Sequence, residues 1–258
     1  MSGESVVGGR RAVLEAVRAG RATAVLVVQG LTRTAGLREL MQASRAAGVD
    51  VIRVERRELD ALDPDHQGVA ARVRPVQTLG ERELSSWPFG EDAIVVALDG
   101  ITDPQNLGAA ARSAEAAGAA MLVTRTRRAA DVTPAAIRAS AGALLHLPHA
   151  RIANLTRGLE RLKDAGFAVV GLDEGARSSV YERPCPDGRV ALVVGSEGAG
   201  LSRLVRETCD ELVSLPMRGS VTSLNVSAAL AAALYAYVLP TRRCDRCSQR
   251  RRRPAPRC

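Results

Sequence analysis

Three short stretches of the chain carry residue types suited to chemistry on a small polar ligand. The first, DPQNLGAAAR over 103–112, sets the amide of Asn106 and the guanidinium of Arg112 six residues apart. The second, GSEGAGLS over 195–202, places one carboxylate, Glu197, among three glycines that begin at Gly195. The third, LPMRGSVTSLNVSAA over 215–229, runs from Leu215 to Ser223, Leu224 and Asn225 at the mouth of an Ala-rich segment. Three glycines within six residues let a backbone come close to a ligand, and Glu197 among them can face an anion-poor or cationic one. Each stretch also has a plain structural reading. Asp103-Pro104 is a helix start, and Arg112 is then a solvated side chain. Asn106 and Arg112 fall on different helix faces unless Asn106 belongs to the loop. The glycine-rich stretch is neither G-x-G-x-x-G nor a Walker loop, and it fits an ordinary strand-to-helix turn. Thr222 or Ser223 can be an N-cap with no further role.

An alternation of strands and helices must position these stretches. Periodicity predicts strands over 93–98, 120–124, 167–171, 190–194 and 212–215, with helices over 106–117, 134–140, 155–165 and 223–238. Continuous apolar strands between helices imply a parallel sheet covered on both faces. All three stretches then fall at the carboxyl ends of strands, where open α/β sheets bind ligands. Upstream, helices over 10–18, 34–47 and 55–62 alternate with strands over 24–28, 49–54 and 69–73, a compact α/β unit. Gly80, Pro88 and Gly90 interrupt the rhythm, predicting a linker with one helical turn over 81–86. The expected organisation is a small unit at 1–75, a linker at 76–92, a larger α/β domain at 93–241 and a tail at 242–258.

Of 258 residues, 46% are apolar, enough for a core. No apolar run reaches the roughly 20 residues of a membrane span. The opening MSGESVVGGRR has no apolar stretch of the signal-peptide kind, so a cytoplasmic protein without membrane attachment is expected. Residues 242–258 hold eight Arg against the single Asp245, a net of +7 out of the chain's +8. A basic tail fits a polyanion partner, and equally a solvated, unfolded end. Aromatics are 2% of the chain, which argues against a base-stacking platform. The five Cys are odd in number in a large chain without a secretion signal, so no disulfide framework is expected. Cys244-x-x-Cys247 is half of a zinc pattern, with only Cys258 after it, and no metal is expected.

Taken in order, NLGAAAR (106–112), GSEGAGLS (195–202) and LPMRGSVTSLNVSAA (215–229) resemble the three motifs of the SpoU, or TrmH-like, RNA 2′-O-ribose methyltransferases. IRASAGALLHLPHARIANL (137–155) is similar to the middle segment of that family. VVGGRRAVLEAV (6–17) and HQGVAARV (66–73) resemble the substrate-recognition domain of its 23S ribosomal RNA guanosine-2′-O branch. The resemblance spans about 6–239. It implies S-adenosylmethionine as methyl donor, RNA of the large ribosomal subunit as substrate, a homodimer, and a methyltransferase domain whose 190–239 segment threads a deep trefoil knot. On these residues it casts Arg112 as the group nearest the ribose 2′-OH, with Asn106, Glu197, Ser223 and Asn225 completing the catalytic set. Gly195, Leu215 and Leu224 would hold the adenosine part of the donor. Guanidinium is a very poor base, so Arg112 can equally clamp a phosphate or stabilise a developing alkoxide. Rival readings are a transfer-RNA ribose methyltransferase, an antibiotic-resistance enzyme acting on another ribosomal RNA nucleotide, and a non-catalytic RNA-binding assembly protein. The separate N-terminal unit favours ribosomal RNA over transfer RNA, and the intact set of five polar residues argues against a decayed site.

Overall fold

The computed structural model of the protein describes residues 4–32, 34–220 and 223–241. The Cys244-x-x-Cys247 half-pattern and the basic tail lie outside them. Apolar, β-branched runs form the strands, and polar side chains cap several of the helices between them. In the N-terminal part, β1 (Ser5–Gly8), α1 (Arg10–Arg18), β2 (Ala22–Val28), α2 (Ala35–Ala46), β3 (Asp50–Val54), α3 (Arg56–Leu62) and β4 (Val69–Val73) succeed one another. The strands make a sheet of order β1-β4-β2-β3, in which only β2 and β3 run parallel. Thr34 caps α2 by accepting the Leu37 amide. β1 is absent from the periodicity reading because SVVG is too short to mark itself; pairing with β4 makes it a strand.

The stretch 76–92, expected as a linker, carries α4 (Glu81–Ser86) and is fastened to the larger domain. The Leu79 amide donates to His149 O at 2.8 Å, and Leu84 is buried in that domain's core. The larger domain is built from β5 (Ile94–Asp99), α5 (Pro104–Ala116), β6 (Met121–Arg125), α6 (Pro134–Ala139), β7 (His149–Ile152), α7 (Leu155–Asp164), β8 (Ala168–Leu172), β9 (Val190–Gly195), α8 (Arg203–Thr208), β10 (Glu211–Val213) and α9 (Val226–Ala233). Its six strands pair in the order β10-β8-β9-β5-β6-β7, every pair parallel, as the continuous apolar runs imply.

Alternation along β5 shows how the sheet is covered. Ile94, Val96 and Leu98 face a cluster built with α5, α6 and α9, whereas Val95 and Ala97 face a second cluster built with α4, α7 and α8. The first cluster continues without a break through Ile137 and Leu144 to Val7, Val13 and Val17 of the N-terminal unit.

Three expectations shift. The helix predicted over 223–238 begins at Val226, leaving Ser223 and Leu224 in the loop, because the Asn225 side chain accepts the Ser227 amide and caps it. Its end widens into a π-type turn at Leu234–Val238. β7, four residues with two polar positions, and α8, six residues with polar ends, do not stand out from the periodicity as separate elements.

Candidate active site

The rim of the parallel sheet is built where β5, β8 and β9 end. Asp103 caps α5 through the Gln105 amide at 3.0 Å, with Pro104 in the first turn. Asn106 therefore lies inside the helix, near its amino end, and not in the loop. Glu197 stands in the turn after β9, and Asn225 at the cap of α9. These three meet. Glu197 Oε1 accepts Asn225 Nδ2 at 2.6 Å, Asn106 Nδ2 at 3.4 Å and the Val226 amide at 3.4 Å. Asn225 Nδ2 also donates to Asn106 Oδ1 at 2.9 Å. One residue from each of the three stretches is thus joined in a single hydrogen-bonded trio, at the mouth of a cavity of about 720 Å³.

Gly195, Leu215 and Leu224 all line that cavity, with Leu172 and Val194 at the strand ends and Met217 and Ser223 on the third stretch. Ser223 is exposed and forms no hydrogen bond with the described residues. Arg112 does not join the trio. Six residues beyond Asn106, it lies about 9 Å further along the α5 axis and on another face. It is exposed and without a hydrogen-bond or ion-pair partner among the described residues.

The glycines act differently from the sequence reading. A Cβ on Gly195 would stand 2.0 Å from the Gly200 carbonyl carbon and 2.3 Å from the Leu201 nitrogen. The close approach at this point is that of the loop to its own strand. Ser196 and Gly200 exchange backbone hydrogen bonds at 2.9 and 3.2 Å, and Gly198 and Gly200 take the left-handed φ values of 76° and 63° that the turn demands. This closure aims Glu197 at the two asparagines.

Two buried carboxylates at the same rim escaped the sequence reading. Asp99, at the end of β5, accepts the Ser202 amide at 2.7 Å and forms a short ion pair with Arg125, whose Nη2 also reaches Ser202 Oγ at 3.1 Å. Asp173, just after β8, pairs with Arg206 at 2.6 Å and accepts the Gly175 amide at 2.9 Å. Their signal was position: each stands at the carboxyl end of an apolar strand. Burial pushes the neighbouring Cys209 thiol up to about 12, so it stays protonated and cannot serve as a nucleophile at neutral pH.

The charges on the cavity wall have a sense. Among the described residues, Asp173, Glu174 and Glu197 face one cation, Arg206, which Asp173 already neutralises. An excess of carboxylate with apolar Leu172, Leu215, Met217 and Leu224 suits a ligand that is partly apolar and carries positive charge. It does not suit a phosphate-rich one. Among the described residues no cluster of three or more His, Cys, Asp or Glu is arranged to hold a metal ion, and no helix is long and apolar enough to cross a membrane.

A parallel sheet with a ligand crevice at its carboxyl rim, closed by residues from three separated loops and joined to a smaller α/β unit, defines a two-part α/β enzyme of the small-ligand-binding kind. The chain belongs to the SpoU rRNA Methylase family, whose profile matches residues 93–235; a second profile, for RNA 2′-O ribose methyltransferase substrate binding, matches residues 6–79. An uncharacterized tRNA/rRNA methyltransferase of Mycobacterium ulcerans (strain Agy99) is 43% identical over 225 residues, covering 86% of this chain and 72% of the relative. Among solved structures, the SpoU methyltransferase AviRb from Streptomyces viridochromogenes in complex with AdoMet is 33% identical, with a TM-score of 0.73, covering 92% of this chain and 89% of that one. An RNA 2′-O ribose methyltransferase aligns with a TM-score of 0.77 at 28% identity, over 92% of this chain and 88% of that one. The chain is thus an RNA methyltransferase of the SpoU family.

Proposed function

We propose that this protein transfers a methyl group from S-adenosylmethionine to the 2′-OH of a ribose in large-subunit ribosomal RNA, a guanosine of 23S rRNA, and that it works in the cytoplasm as a homodimer. The observation that carries the reading is the Glu197–Asn106–Asn225 trio at the mouth of a cavity with excess negative charge. The AdoMet seen in AviRb, a relative over nearly the whole chain, supports the donor. S-adenosylmethionine supplies an electrophilic methyl on a sulfonium and a good leaving group. Gly195, Leu215 and Leu224 hold its adenosine part. Glu197, a carboxylate held by amides and, among the described residues, by no cation, lowers the energy of positive charge beside it. Asn106 and Asn225 fix the Glu197 carboxylate and leave the ribose one orientation, and Ser223 closes the pocket around the reacting hydroxyl. Arg112 meets the substrate from outside the trio, clamping the adjacent phosphate and stabilising charge that develops on the 2′ oxygen.

The substrate-binding profile over residues 6–79 supports an RNA substrate, and the profile over 93–235, that of the SpoU rRNA Methylase family, supports ribosomal RNA. The second copy is favoured by exposed apolar side chains beside the cavity and α9, namely Tyr181, Met217, Leu224 and Tyr235. The unit boundaries of the sequence reading, 1–75 and 93–241, and the knot over 190–239 belong to the same proposal. The experiment is direct. Purified protein, tritiated S-adenosylmethionine and isolated ribosomal RNA should give label in the large-subunit RNA, mapped to one 2′-O-methylguanosine. Label in transfer RNA alone would move the reading to the transfer-RNA branch, and no label in any RNA would overturn it.

A further inference from the structure

The two sheets are joined by a built contact as well as by the connecting chain. Asp63, in the turn before β4, is 4% exposed. Its Oδ2 accepts the Gly8 amide at 2.8 Å and a short ion pair from Arg138 of α6, while Oδ1 accepts the Asp65 amide at 3.1 Å. The second nitrogen of Arg138 reaches Asp65 at 3.2 Å. Gly8 makes room for this: a Cβ there would stand 2.7 Å from His66 Cα and 2.8 Å from the Asp63 oxygen. On the other flank, Gly142 at φ 91° receives α1 so closely that a Cβ would lie 2.5 Å from Glu15 Cβ, and Glu15 pairs with His146 at 3.1 Å.

Beyond Arg138, the contact passes on to the candidate active site. α6 is pressed onto α5 at Gly108, where a Cβ would meet Ala139 Cβ at 2.5 Å and Ala136 O at 2.6 Å. Gly108 lies between Asn106 and Arg112, one helical turn before Arg112. A close-packed contact of small residues transmits a displacement where flexible side chains would absorb it. One guanidinium thus links the N-terminal unit, through α6, to α5, the helix that carries both residues.

We propose that Arg138 is a positioning residue: by gripping Asp63 it locks the RNA-recognition unit onto α6 and so sets the register between bound RNA and Asn106 and Arg112. This rests on the RNA-methyltransferase reading above. The grip is directional, because a guanidinium and two backbone amides saturate the carboxylate. It is also all-or-none, because removing the cation leaves a buried charge without compensation.

The test uses the full chain and large-subunit RNA. In Arg138→Met, kcat should fall by about a hundredfold, the size expected when reacting groups are misplaced by an ångström. RNA affinity by filter binding and S-adenosylmethionine affinity by calorimetry should be unchanged, and small-angle scattering should show a broadened distance distribution between the two units. A merely structural role would instead weaken RNA binding together with turnover. Asp63→Asn/Arg138→Met removes both charges, so it should regain thermal stability while turnover stays low; it also decides the matter if the single variant fails to fold. Parental kcat and parental scattering in either folded variant would overturn the proposal. Should the parent enzyme itself transfer no methyl group to RNA, the functional reading fails, and scattering alone still decides whether Arg138 holds the units together.

Discussion

Two carboxylates, Asp63 between the units and Glu197 at the cavity mouth, are held in opposite ways. Asp63 is buried and its charge is met by Arg138, with two backbone amides completing its shell. Glu197 is exposed and met by two side-chain amides and one backbone amide, with no cation in contact among the described residues. The rim carboxylates Asp99 and Asp173 share the first pattern, with Arg125 and Arg206. The difference separates scaffold from site. A carboxylate with its own guanidinium has spent its charge within the protein. One oriented by neutral amides keeps its charge for a cation that arrives from outside.

Arg112 offers the strongest way to break this contrast, since it is the mirror image of Glu197: a cation without a carboxylate partner among the described residues. Arg112→Ala should lower methyl transfer by about a thousandfold, the size of losing a transition-state charge stabiliser, and leave donor affinity by calorimetry intact. Arg112→Lys should fail as well, because a point charge does not replace a planar fork. Near-normal turnover in either variant would remove the assigned role. Next in size is a scaffold carboxylate. Asp99→Asn should cost about 3 kcal/mol of stability in urea unfolding, because Arg125 loses its buried partner. A change below about 1 kcal/mol would mean that this pair is not scaffold at all.

Glu197→Gln sharpens the same contrast from the other side. It keeps an acceptor for Asn106 and Asn225 but removes the charge, so turnover and donor affinity should each fall by about tenfold to a hundredfold. Melting temperature should hold. A large drop in melting temperature with unchanged affinity would class Glu197 with Asp99. These stabilities must be compared at neutral pH, because another group titrates below it. Burial lowers the pKa of His149 from 6.5 to about 4, with Arg151 acting in the same direction. The unfolded chain therefore binds more protons between those values, and stability falls as pH drops through that window. Between pH 7 and about 5.5 this amounts to about 1 kcal/mol. His149→Gln should flatten that slope in urea titrations at the two pH values. The smallest effect is expected from the basic tail, which has neither fixed pattern nor aromatic residues. Truncation after Pro240 should flatten the salt dependence of RNA affinity without moving the methylated nucleotide, since phosphate contacts position without reading sequence. A shifted nucleotide would make the tail a specificity element.

Much of the fold was legible because its determinants are local. Helix starts at Thr34, Asp103-Pro104, Thr133 and Asn154 are single-residue capping events within three residues of the amides they satisfy. The parallel sheet was legible in unbroken apolar runs such as 190–194. β1 and β7 were not legible, because SVVG and HARI become strands only through partners distant in sequence or held by their own sheet edge.

The candidate site divides along the same line. Asn106, Glu197 and Asn225 could be chosen from the sequence through the three motifs that resemble the family, although each also fits a capped helix or an ordinary turn, and Asn225 does cap α9. That they share one carboxylate oxygen could not, because the bonds span 28, 91 and 119 residues and depend on the register of β5 beside β9. Gly195 shows the limit most clearly. Its sequence context marked a place of close approach, but only the folded loop decided that the approaching backbone is Gly200's own. The sequence by itself determined most of the elements in their order, the chemistry on offer and the family resemblance. The tertiary structure decided which charges are neutralised within the protein and which remain open. Local propensity reaches only a few residues along the chain, whereas a guanidinium such as Arg138 finds Asp63 across 75 residues, once two cores have packed into one.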